Sequence, residues 1–425
     1  MGVIAFEGPA GCGKTYQLMQ ELAAALGAKP LEPHQRVLAL TFMHGSRRRL
    51  DTRLRGVPGL AGRFEAATLD SFAWRLIQRW RQLAQHLGHA LPVENDFAGT
   101  CALAAVLLER PVVQAWVDMS FPIVVVDEAQ DLSRERSSVI AARARSGTTF
   151  LAFDEFQCLD AALLPIAIET WLRDHCEPTP LAGCRRTDNG ELIQAARAVR
   201  DGRAVATGGD TFKVFATPGH VNFAATCLAN AIAWRRRGGN VAVLTPSRTG
   251  GFAENAITRV GQGAIGRHQT GPYNIQWEGN DKQELSELWT QLGIVDGCSV
   301  VEAIQTLSAH RNIPAVHTLR GWLIRRRSTT GLENVKSADL LRQLDRTLAQ
   351  RRHFGGRAEA QFTAMTIQQA KNREFDHVIV FWPYTVRDNP VQKRRLLYNA
   401  ITRAKRSCTV LVQSADMLQA PPFVP

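Results

Sequence analysis

The stretch Gly8-Pro-Ala-Gly-Cys-Gly-Lys-Thr15 decides the fold of this chain. It has the spacing G-x-x-x-x-G-K-T, it follows an apolar segment at Val3–Phe6, and it precedes an amphipathic segment at Tyr16–Leu26. In such a strand–loop–helix context the spacing predicts a phosphate loop, in which backbone N–H groups surround phosphate oxygens at the N-terminus of a helix. A chance match in a turn would lack the two flanking segments.

Two side chains of this loop have expected roles beyond the backbone. Lys14 is predicted to reach the outer phosphates of a nucleotide, and the hydroxyl group of Thr15 is predicted to bind Mg²⁺. The predicted nucleotide-binding residues of the loop are Gly8, Gly11, Cys12, Gly13, Lys14 and Thr15.

A second stretch, Ile123-Val-Val-Val-Asp-Glu-Ala-Gln-Asp131, ends an apolar segment with a pair of carboxylates. A carboxylate at the end of a buried strand suits metal coordination, so Asp127 is predicted to bind Mg²⁺ together with Thr15. Glu128 is predicted to be the general base for an attacking water. Asp131 also suits the cap of a helix. With the phosphate loop, the pair predicts hydrolysis of a nucleoside triphosphate, and ATP and Mg²⁺ are the expected cofactors.

Short apolar segments alternate with amphipathic segments over most of the chain, which is typical of parallel sheets with crossover helices. The predicted strands are Val3–Phe6, Val37–Phe42, Glu65–Thr68, Ile123–Asp127, Thr149–Asp154, Lys213–Ala216, Asn240–Thr245, Gln361–Thr366, His377–Trp382 and Cys408–Gln413. The segment Ala161–Arg173 is predicted to be one helix. The pattern predicts an α/β fold with two lobes, the first formed by residues 1–205 with a short helical insertion at about 75–120. Residues 206–250 and 360–425 are predicted to form the second lobe, and 251–359 a mostly helical accessory insertion in it.

The composition bounds the possible partners. The chain has 425 residues, of which 51 are basic and 39 are acidic, and its formal net charge is +12. Such an excess favours a nucleic-acid partner, because phosphate contacts release counterions, although a general preference for Arg gives the same excess. No apolar segment approaches the ~18 residues of a membrane span, and no basic segment precedes an apolar core at the N-terminus. We therefore expect a cytoplasmic protein without membrane contact, and the eight scattered cysteines predict no metal cluster.

Six further segments, together with the two stretches above, resemble in order the motifs of the UvrD/Rep-type helicases of superfamily 1. They are Val37–Arg47 (motif Ia), Ala67–Phe72 (Ib), Phe153–Gln157 (III), Leu181–Thr187 (IV), Thr366–Asp376 (V) and Arg395–Lys405 (VI). The most specific are DEAQD at 127–131 and YNAITRAK at 398–405. The resemblance spans nearly the whole chain and implies two RecA-like phosphate-loop lobes.

The resemblance implies roles for residues of both lobes. Gln157 would sense the γ-phosphate, Arg186 and Arg403 would reach it as arginine fingers, and Glu374 would contact the ribose. Glu128, Gln157 and the two arginines are the predicted catalytic residues. For Arg403, a solvated helix face or a charge at a helix C-terminus is the alternative interpretation.

The resemblance also implies a track for single-stranded DNA. Its predicted residues are Phe42, Arg47, Thr68, Ser71, Phe72, Thr366 and Lys371. Aromatic rings stack on bases without reading the sequence, and basic grooves follow the phosphate backbone. Phe72 also fits an apolar helix face, so packing in the core is an equally good interpretation. Arg47 lies in a run of arginines that is also typical of a solvated surface.

The chain differs from the family at several motif positions. Arg185 stands where motif IV has the aromatic residue that stacks on the base, and motif V has Gln368 and Asn372 where the family has His and Gly. The resemblance implies an ATPase that translocates 3′ to 5′ along single-stranded DNA and unwinds duplexes, with DNA junctions as further partners. The alternative is a DNA-stimulated ATPase switch of a multi-protein repair, plasmid or defence system, which would require a protein partner. A phosphate-loop kinase would leave motifs IV to VI unexplained, and the oligomeric state stays open.

Overall fold

The structure, a computed structural model, describes residues 2–42, 44–93, 96–217, 221–234, 239–248, 250–278, 281–354 and 361–425. The chain forms two compact units, one made of residues 1–274 and 365–425 and the other of residues 275–364. Met43 of motif Ia and the predicted end of the insertion near residue 359 lie outside the described residues.

The larger unit contains a first sheet of six strands in the order β3-β2-β4-β5-β1-β6. Its strands are β1 (Gly2–Glu7), β2 (Val37–Thr41), β3 (Phe64–Thr68), β4 (Ile123–Val126), β5 (Thr148–Phe153) and β6 (Thr179–Pro180). All five pairings are parallel. The carboxyl ends of parallel strands meet at one edge, and this is where such sheets bind ligands.

Helices cover both faces of the first sheet. They are α1 (Lys14–Ala28), α2 (His44–Arg55), α3 (Leu69–Arg79), α4 (Arg81–His86), α5 (Phe97–Leu108), α6 (Pro111–Ser120), α7 (Arg134–Ala144) and α8 (Ala167–Arg173). Strand β2 shows why both faces need cover: Leu38 and Leu40 pack into one core, and Val37 and Ala39 pack into another. An apolar run without polar alternation is the pattern of a strand that is buried on both sides.

The second sheet has the order β7-β12-β11-β8-β10-β9. Its strands are β7 (Phe212–Ala216), β8 (Val241–Thr245), β9 (Gln276–Trp277), β10 (Phe362–Thr366), β11 (Phe375–Trp382) and β12 (Ala404–Val412). The helices of this lobe are α9 (Gly190–Asp201), α10 (Val221–Trp234), α11 (Phe252–Gln262) and α16 (Pro390–Ile401). These two α/β sheets confirm the predicted fold class of two RecA-like lobes.

The smaller unit has its own apolar core. Its helices are α12 (Asp281–Leu292), α13 (Val300–Ala309), α14 (Pro314–Thr330) and α15 (Ser337–Phe354). Leu307, Leu319, Leu323 and Leu340 are fully buried at the centre of this core. Helix α13 begins with a capping box, in which the Ser299 side chain accepts a hydrogen bond from the Glu302 N–H and the Glu302 carboxylate accepts one from the Ser299 N–H.

The lobe boundaries differ from the predicted ones at two places. Helix α9 lies before residue 205, but its side chains Leu192, Ala195 and Val199 pack into the core of the second sheet. Residues 251–274 belong to the larger unit, since α11 packs on α10 and the Tyr273 N–H donates to the Val260 carbonyl at 3.2 Å. Both boundaries fall where a helix follows a loop, and the sequence does not show which sheet that helix covers.

The predicted helix Ala161–Arg173 is wrong in its first half. The structure has a short 3₁₀ turn at Ala161–Leu163, and α8 begins only at Ala167. Pro165 lies between them, and a proline lacks the N–H that a continuous helix would need there.

No single helix in the described part of the chain is long and apolar enough to cross a membrane. One pair of helices, Phe97–Leu108 and Pro111–Ser120, passes this test by length and composition when taken together, with a bend of 95° between them.

Helix α3 places Phe72 inside the protein. Thr68 caps the helix by accepting a hydrogen bond from the Ser71 N–H at 3.3 Å, and Phe72, Ala73 and Leu76 then face the core of the first lobe. The side chain of Phe72 is 4% exposed. In this arrangement the ring packs in the core and does not lie on an open track, which decides between the two interpretations of this residue.

We expect the Phe72→Ala variant to lower the free energy of unfolding by about 3–5 kcal/mol, because it removes a buried ring and leaves a cavity. Urea-induced unfolding followed by circular dichroism measures this change. Ser71→Ala, one residue earlier on the exposed side of α3, is the matched control and should shift the urea midpoint little. An unchanged midpoint in Phe72→Ala would place the ring on the surface.

Candidate active site

The phosphate loop lies at the carboxyl edge of the first sheet, between β1 and α1. Gly11 and Gly13 have φ angles of 81° and 95°, which residues with a side chain rarely adopt. A Cβ atom on Gly13 would also come within 2.8 Å of the Arg185 side chain. The Lys14 ammonium group bends back over the loop and donates to the Gly8 carbonyl at 2.7 Å. The loop therefore has the backbone shape that a phosphate cradle requires.

The predicted metal ligands lie next to each other. The Thr15 hydroxyl donates to Asp127 Oδ2 at 2.9 Å, although 112 residues separate them in sequence. Burial, with the neighbouring Glu128 charge, raises the pKa of Asp127 to about 6. A hydroxyl and a carboxylate beside a loop of N–H donors form the oxygen-rich set that Mg²⁺ and a polyphosphate use, so the residues present fit both groups.

Glu128 adopts an unusual backbone conformation, with a φ angle of 59°. A left-handed conformation outside glycine is strained, and such strain is typical of functional positions. The Gln130 amide donates to its carboxylate. Burial raises the pKa of Glu128, but the charges of Lys14 and Lys371 outweigh this effect and hold the pKa below its ordinary value. Glu128 is therefore ionised and able to accept a proton.

Two arginines of the predicted set lie together at the boundary of the lobes. Arg186 donates to Glu374 Oε1 at 2.9 Å and to the Thr402 carbonyl at 2.7 Å. Arg403 is 2% exposed and donates to the Asn399 carbonyl at 3.1 Å. Burial and the nearby Arg186 charge lower the pKa of Arg403 to about 9. This burial removes the solvated-face interpretation of Arg403.

Glu374, the predicted ribose contact, binds cations in the structure. Its carboxylate forms ion pairs with Arg186 at 2.9 Å and with Lys405 at 3.3 Å. Burial raises the pKa of Glu374, but Arg186 and Lys405 outweigh burial and lower it. In this arrangement Glu374 positions the Arg186 guanidinium, and a contact with a ribose stays a prediction.

Gln157 belongs to a buried polar network around Asp154. The Gln157 amide donates to Asp154 Oδ2 at 2.8 Å, and Arg200 of α9 donates to Oδ1 at 2.8 Å. The Tyr398 hydroxyl of α16 donates to Oδ2 at 3.4 Å. Burial lowers the pKa of Arg200, but the facing Asp154 carboxylate outweighs burial and raises it above its ordinary value. The network joins a first-lobe segment to two helices of the second lobe.

Helix α16 completes the joint between the lobes. Arg395 donates to the Glu155 carbonyl and pairs with the Glu155 carboxylate, and Gln392 donates to the Leu159 carbonyl at 2.7 Å. The rings of Phe156 and Tyr398 meet edge to face, with centroids 5.2 Å apart. Motif VI therefore packs directly on motif III.

The predicted DNA track is brought together only in part. Ser71 is exposed, and Phe42 and Arg47 are half-buried, with the Arg136 guanidinium 4.8 Å from the Phe42 ring centroid. Thr68 is buried as a helix cap, and the Thr366 hydroxyl accepts from the Gln369 N–H at 3.2 Å. The remaining two, Phe72 and Lys371, lie inside the protein.

Lys371 forms a buried ion pair instead of lining an open surface. Its ammonium group lies 2.5 Å from Asp131 Oδ1, and the two side chains are 6% and 9% exposed. Burial raises the pKa of Asp131 to about 6 although Lys371 opposes this shift. The predicted role of Asp131 as a helix cap is not observed; Ser133 caps α7 and accepts from the Arg136 N–H at 3.4 Å.

Sequence reasoning gave no role to Arg200 and Tyr398, which the structure places at the site. It gave Arg49, in the same arginine run as Arg47, only a contact with backbone phosphates, and it named Asn372 only as a departure from motif V. Burial lowers the pKa of Arg49, and its charge acts on Glu374, Arg186 and Glu128, which places this arginine of α2 among the site residues. Asn372 has a φ angle of 64°, a conformation that asparagine adopts more readily than most residues. The sequence signal for this conformation was that Asn372 occupies a position where the family has Gly. Arg200 lies outside every motif, so the sequence held no signal for it.

These features define a two-lobed phosphate-loop fold with two arginines at the boundary of the lobes. Residues 361–411 match the family described as UvrD-like helicase C-terminal domain. The matched segment covers all of motifs V and VI, and it confirms the resemblance to the UvrD-like helicases of superfamily 1.

The chain also resembles solved structures, and a viral helicase is among them. The helicase nonstructural protein 10 of an arterivirus is 11% identical to this chain, with a TM-score of 0.41. The similarity covers 96% of this chain and 59% of the viral chain. None of the curated proteins compared with the chain matches it.

We expect Lys371→Met to destabilise the protein by about 3–5 kcal/mol, because it leaves the Asp131 carboxylate buried without its cation. The double variant Lys371→Met/Asp131→Leu should recover most of this loss. Because a raised folded-state pKa makes stability fall as pH rises through it, the deficit of the single variant should be larger at pH 8 than at pH 5.5. Thermal unfolding at both pH values measures this loss of stability. A loss that did not depend on pH would contradict the buried ion pair.

Proposed function

We propose that the chain is an ATP-dependent DNA helicase or translocase of superfamily 1, which hydrolyses ATP to move along single-stranded DNA and separate duplexes. The observation that carries the proposal is that Arg186, in the segment between the lobes, lies against the phosphate loop, while Arg403 of the second lobe acts electrostatically on both Arg186 and Glu128. A site divided between two lobes couples nucleotide turnover to a change in lobe position. A phosphate-loop kinase would leave motifs IV to VI unexplained.

Each residue then has a defined task. The loop N–H groups and Lys14 bind the phosphates, and Thr15 with Asp127 would hold Mg²⁺, which offsets the charge of the phosphates. Glu128, held ionised by Lys14 and Lys371, accepts a proton from the attacking water.

The boundary of the two lobes supplies the charges that favour hydrolysis over binding. Arg186 and Arg403 stabilise the negative charge that develops on the transferred phosphoryl group. Glu374 holds Arg186 through an ion pair of 2.9 Å, and Arg403 lies two residues after the end of α16. The position of the second lobe therefore controls whether the site is complete.

Single-stranded DNA is proposed to bind along the edge formed by α2 and α3. Ser71, Trp74 and Arg75 share the exposed side of α3, and Trp74 is 38% exposed. An exposed indole ring next to basic side chains suits stacking with a base and contact with phosphates. Trp74 takes the place in the track that Phe72 does not fill. By the resemblance, movement is expected in the 3′ to 5′ direction.

A second candidate function is a DNA-stimulated ATPase switch that does not separate strands by itself. The burial of Phe72 and Lys371 favours it, because these two predicted DNA contacts are committed to the protein interior. In that case hydrolysis would time the engagement of a protein partner in a repair, plasmid or defence system.

The first test is steady-state ATP hydrolysis with and without single-stranded DNA, followed by strand displacement from duplexes with a 3′ or a 5′ tail. We expect DNA to stimulate hydrolysis strongly and displacement to require the 3′ tail. Lys14→Ala, which removes the phosphate-binding ammonium group, should abolish both activities. Stimulation without displacement would favour the switch, and hydrolysis that ignores DNA would contradict both candidate functions.

We expect Glu128→Gln to lower ATP turnover at least ~100-fold while ATP binding persists, because the amide keeps the shape of the side chain but accepts no proton. Turnover and nucleotide affinity are measured on the same preparation. Glu177→Gln, the same change at an exposed glutamate, is the matched control and should be neutral. Normal turnover in Glu128→Gln would remove the general-base role.

A further inference from the structure

The phosphate loop contacts the second lobe directly through one hydrogen bond. The backbone N–H of Ala10 donates to the hydroxyl oxygen of Tyr398 at 2.7 Å. The bond is buried, and 388 residues separate its partners in sequence. Ala10 lies in the middle of the loop, where backbone N–H groups are the donors that phosphate oxygens use.

The Tyr398 hydroxyl has no hydrogen-bonding capacity left for a further ligand. A phenol hydroxyl has one proton to donate and two lone pairs to accept. The proton is directed to Asp154 Oδ2 at 3.4 Å, and the lone pairs accept from the Ala10 N–H and from Arg200 Nη1 at 3.3 Å. Burial and the Asp154 charge raise the pKa of Tyr398, so the hydroxyl keeps its proton.

The Ala10 backbone borders the same pocket as the arginine that is proposed to meet the outermost phosphate. This pocket is open to solvent and is lined by Ala10, Arg186, Tyr398 and Thr402 among others. Arg186 is the cation proposed to reach the γ-phosphate, so the γ-phosphate is expected near the Ala10 N–H.

We propose that the Tyr398 hydroxyl and the γ-phosphate of ATP compete for the Ala10 N–H, so that Tyr398 is a positioning residue that distinguishes ATP from ADP. The inference rests on the proposed function, because it takes the phosphate loop as the ATP site. ADP leaves the bond between Ala10 and Tyr398 intact, whereas ATP replaces it. Because Tyr398 lies in α16 and Arg403 lies two residues after the end of this helix, replacement of the bond changes the position of Arg403 when the γ-phosphate is present.

The test is the Tyr398→Phe variant, with the affinities for ADP and for a non-hydrolysable ATP analogue measured by calorimetry in the presence of Mg²⁺. The phenyl ring retains the edge-to-face contact with Phe156. Because the analogue no longer has to displace a hydroxyl, it should bind roughly three- to tenfold more tightly than to the wild-type chain. ADP affinity should not change. Tyr384→Phe, at an exposed tyrosine away from the site, should change neither affinity.

The ratio of the two affinities separates the possible results. A gain for the analogue alone supports the competition. The competition would be overturned if the ratio of analogue affinity to ADP affinity did not change, or if the variant bound the analogue more weakly. It would also be overturned if ADP affinity changed as much as analogue affinity or if ADP binding were lost, because the proposal makes the hydroxyl irrelevant to the diphosphate. If the wild-type chain bound neither nucleotide, the proposed function would fail and the inference with it; if it bound both, only the ratio decides.

Discussion

The joint between the two lobes depends on one buried carboxylate. Asp154 is wholly inaccessible to solvent, and a charge in such a position is tolerated only when it is paired and hydrogen-bonded. Gln157 satisfies it from its own segment, and Arg200 and Tyr398 satisfy it from α9 and α16. Because α9 and α16 both pack on the second sheet, the requirement to neutralise a first-lobe carboxylate fixes the second lobe against the first. The phosphate loop shares this constraint, since Ala10 binds the same tyrosine.

The same joint concentrates positive charge. Arg49, Arg186 and Arg403 act on one another electrostatically, and burial with this crowding lowers the pKa of Arg403 to about 9. Glu128 and Glu374 offset only part of the repulsion. Arrangements of this kind are unfavourable without an anion, so a polyphosphate would stabilise the closed joint by neutralising cations from both lobes. Under the proposed function, the energetic cost of placing three guanidinium groups together would be the means by which nucleotide binding draws the lobes together.

The sequence predicted the elements whose signals are local. Each of these signals depends on residues that are close in the chain: the apolar strands, the phosphate loop, and the carboxylate pair Asp127 and Glu128. The two-lobed fold follows from the order of these elements. The side-chain roles at Phe72 and Lys371 were not predictable in the same way. Phe72 satisfies a helix-face pattern and a DNA-contact pattern equally well, and the partner that buries Lys371 lies 240 residues away. Arg200 belongs to no motif, and only the packing of α9 on the second sheet brings it to Asp154.

Two positions that differ from the family motifs keep the backbone shape or the flat surface that the motif residues would provide. Asn372 stands where the family has glycine, yet it adopts the left-handed conformation that glycine would provide, so the turn of motif V is preserved. Arg185 stands where the family has an aromatic residue, and its guanidinium lies 4.6 Å from the ring centroid of Tyr16 on α1. A flat surface at the mouth of the phosphate loop is therefore retained, with its aromatic part supplied by a different element. Because stacking depends on a flat face and not on a pattern of donors and acceptors, a base that bound here under the proposed function would stack without a group that reads its identity.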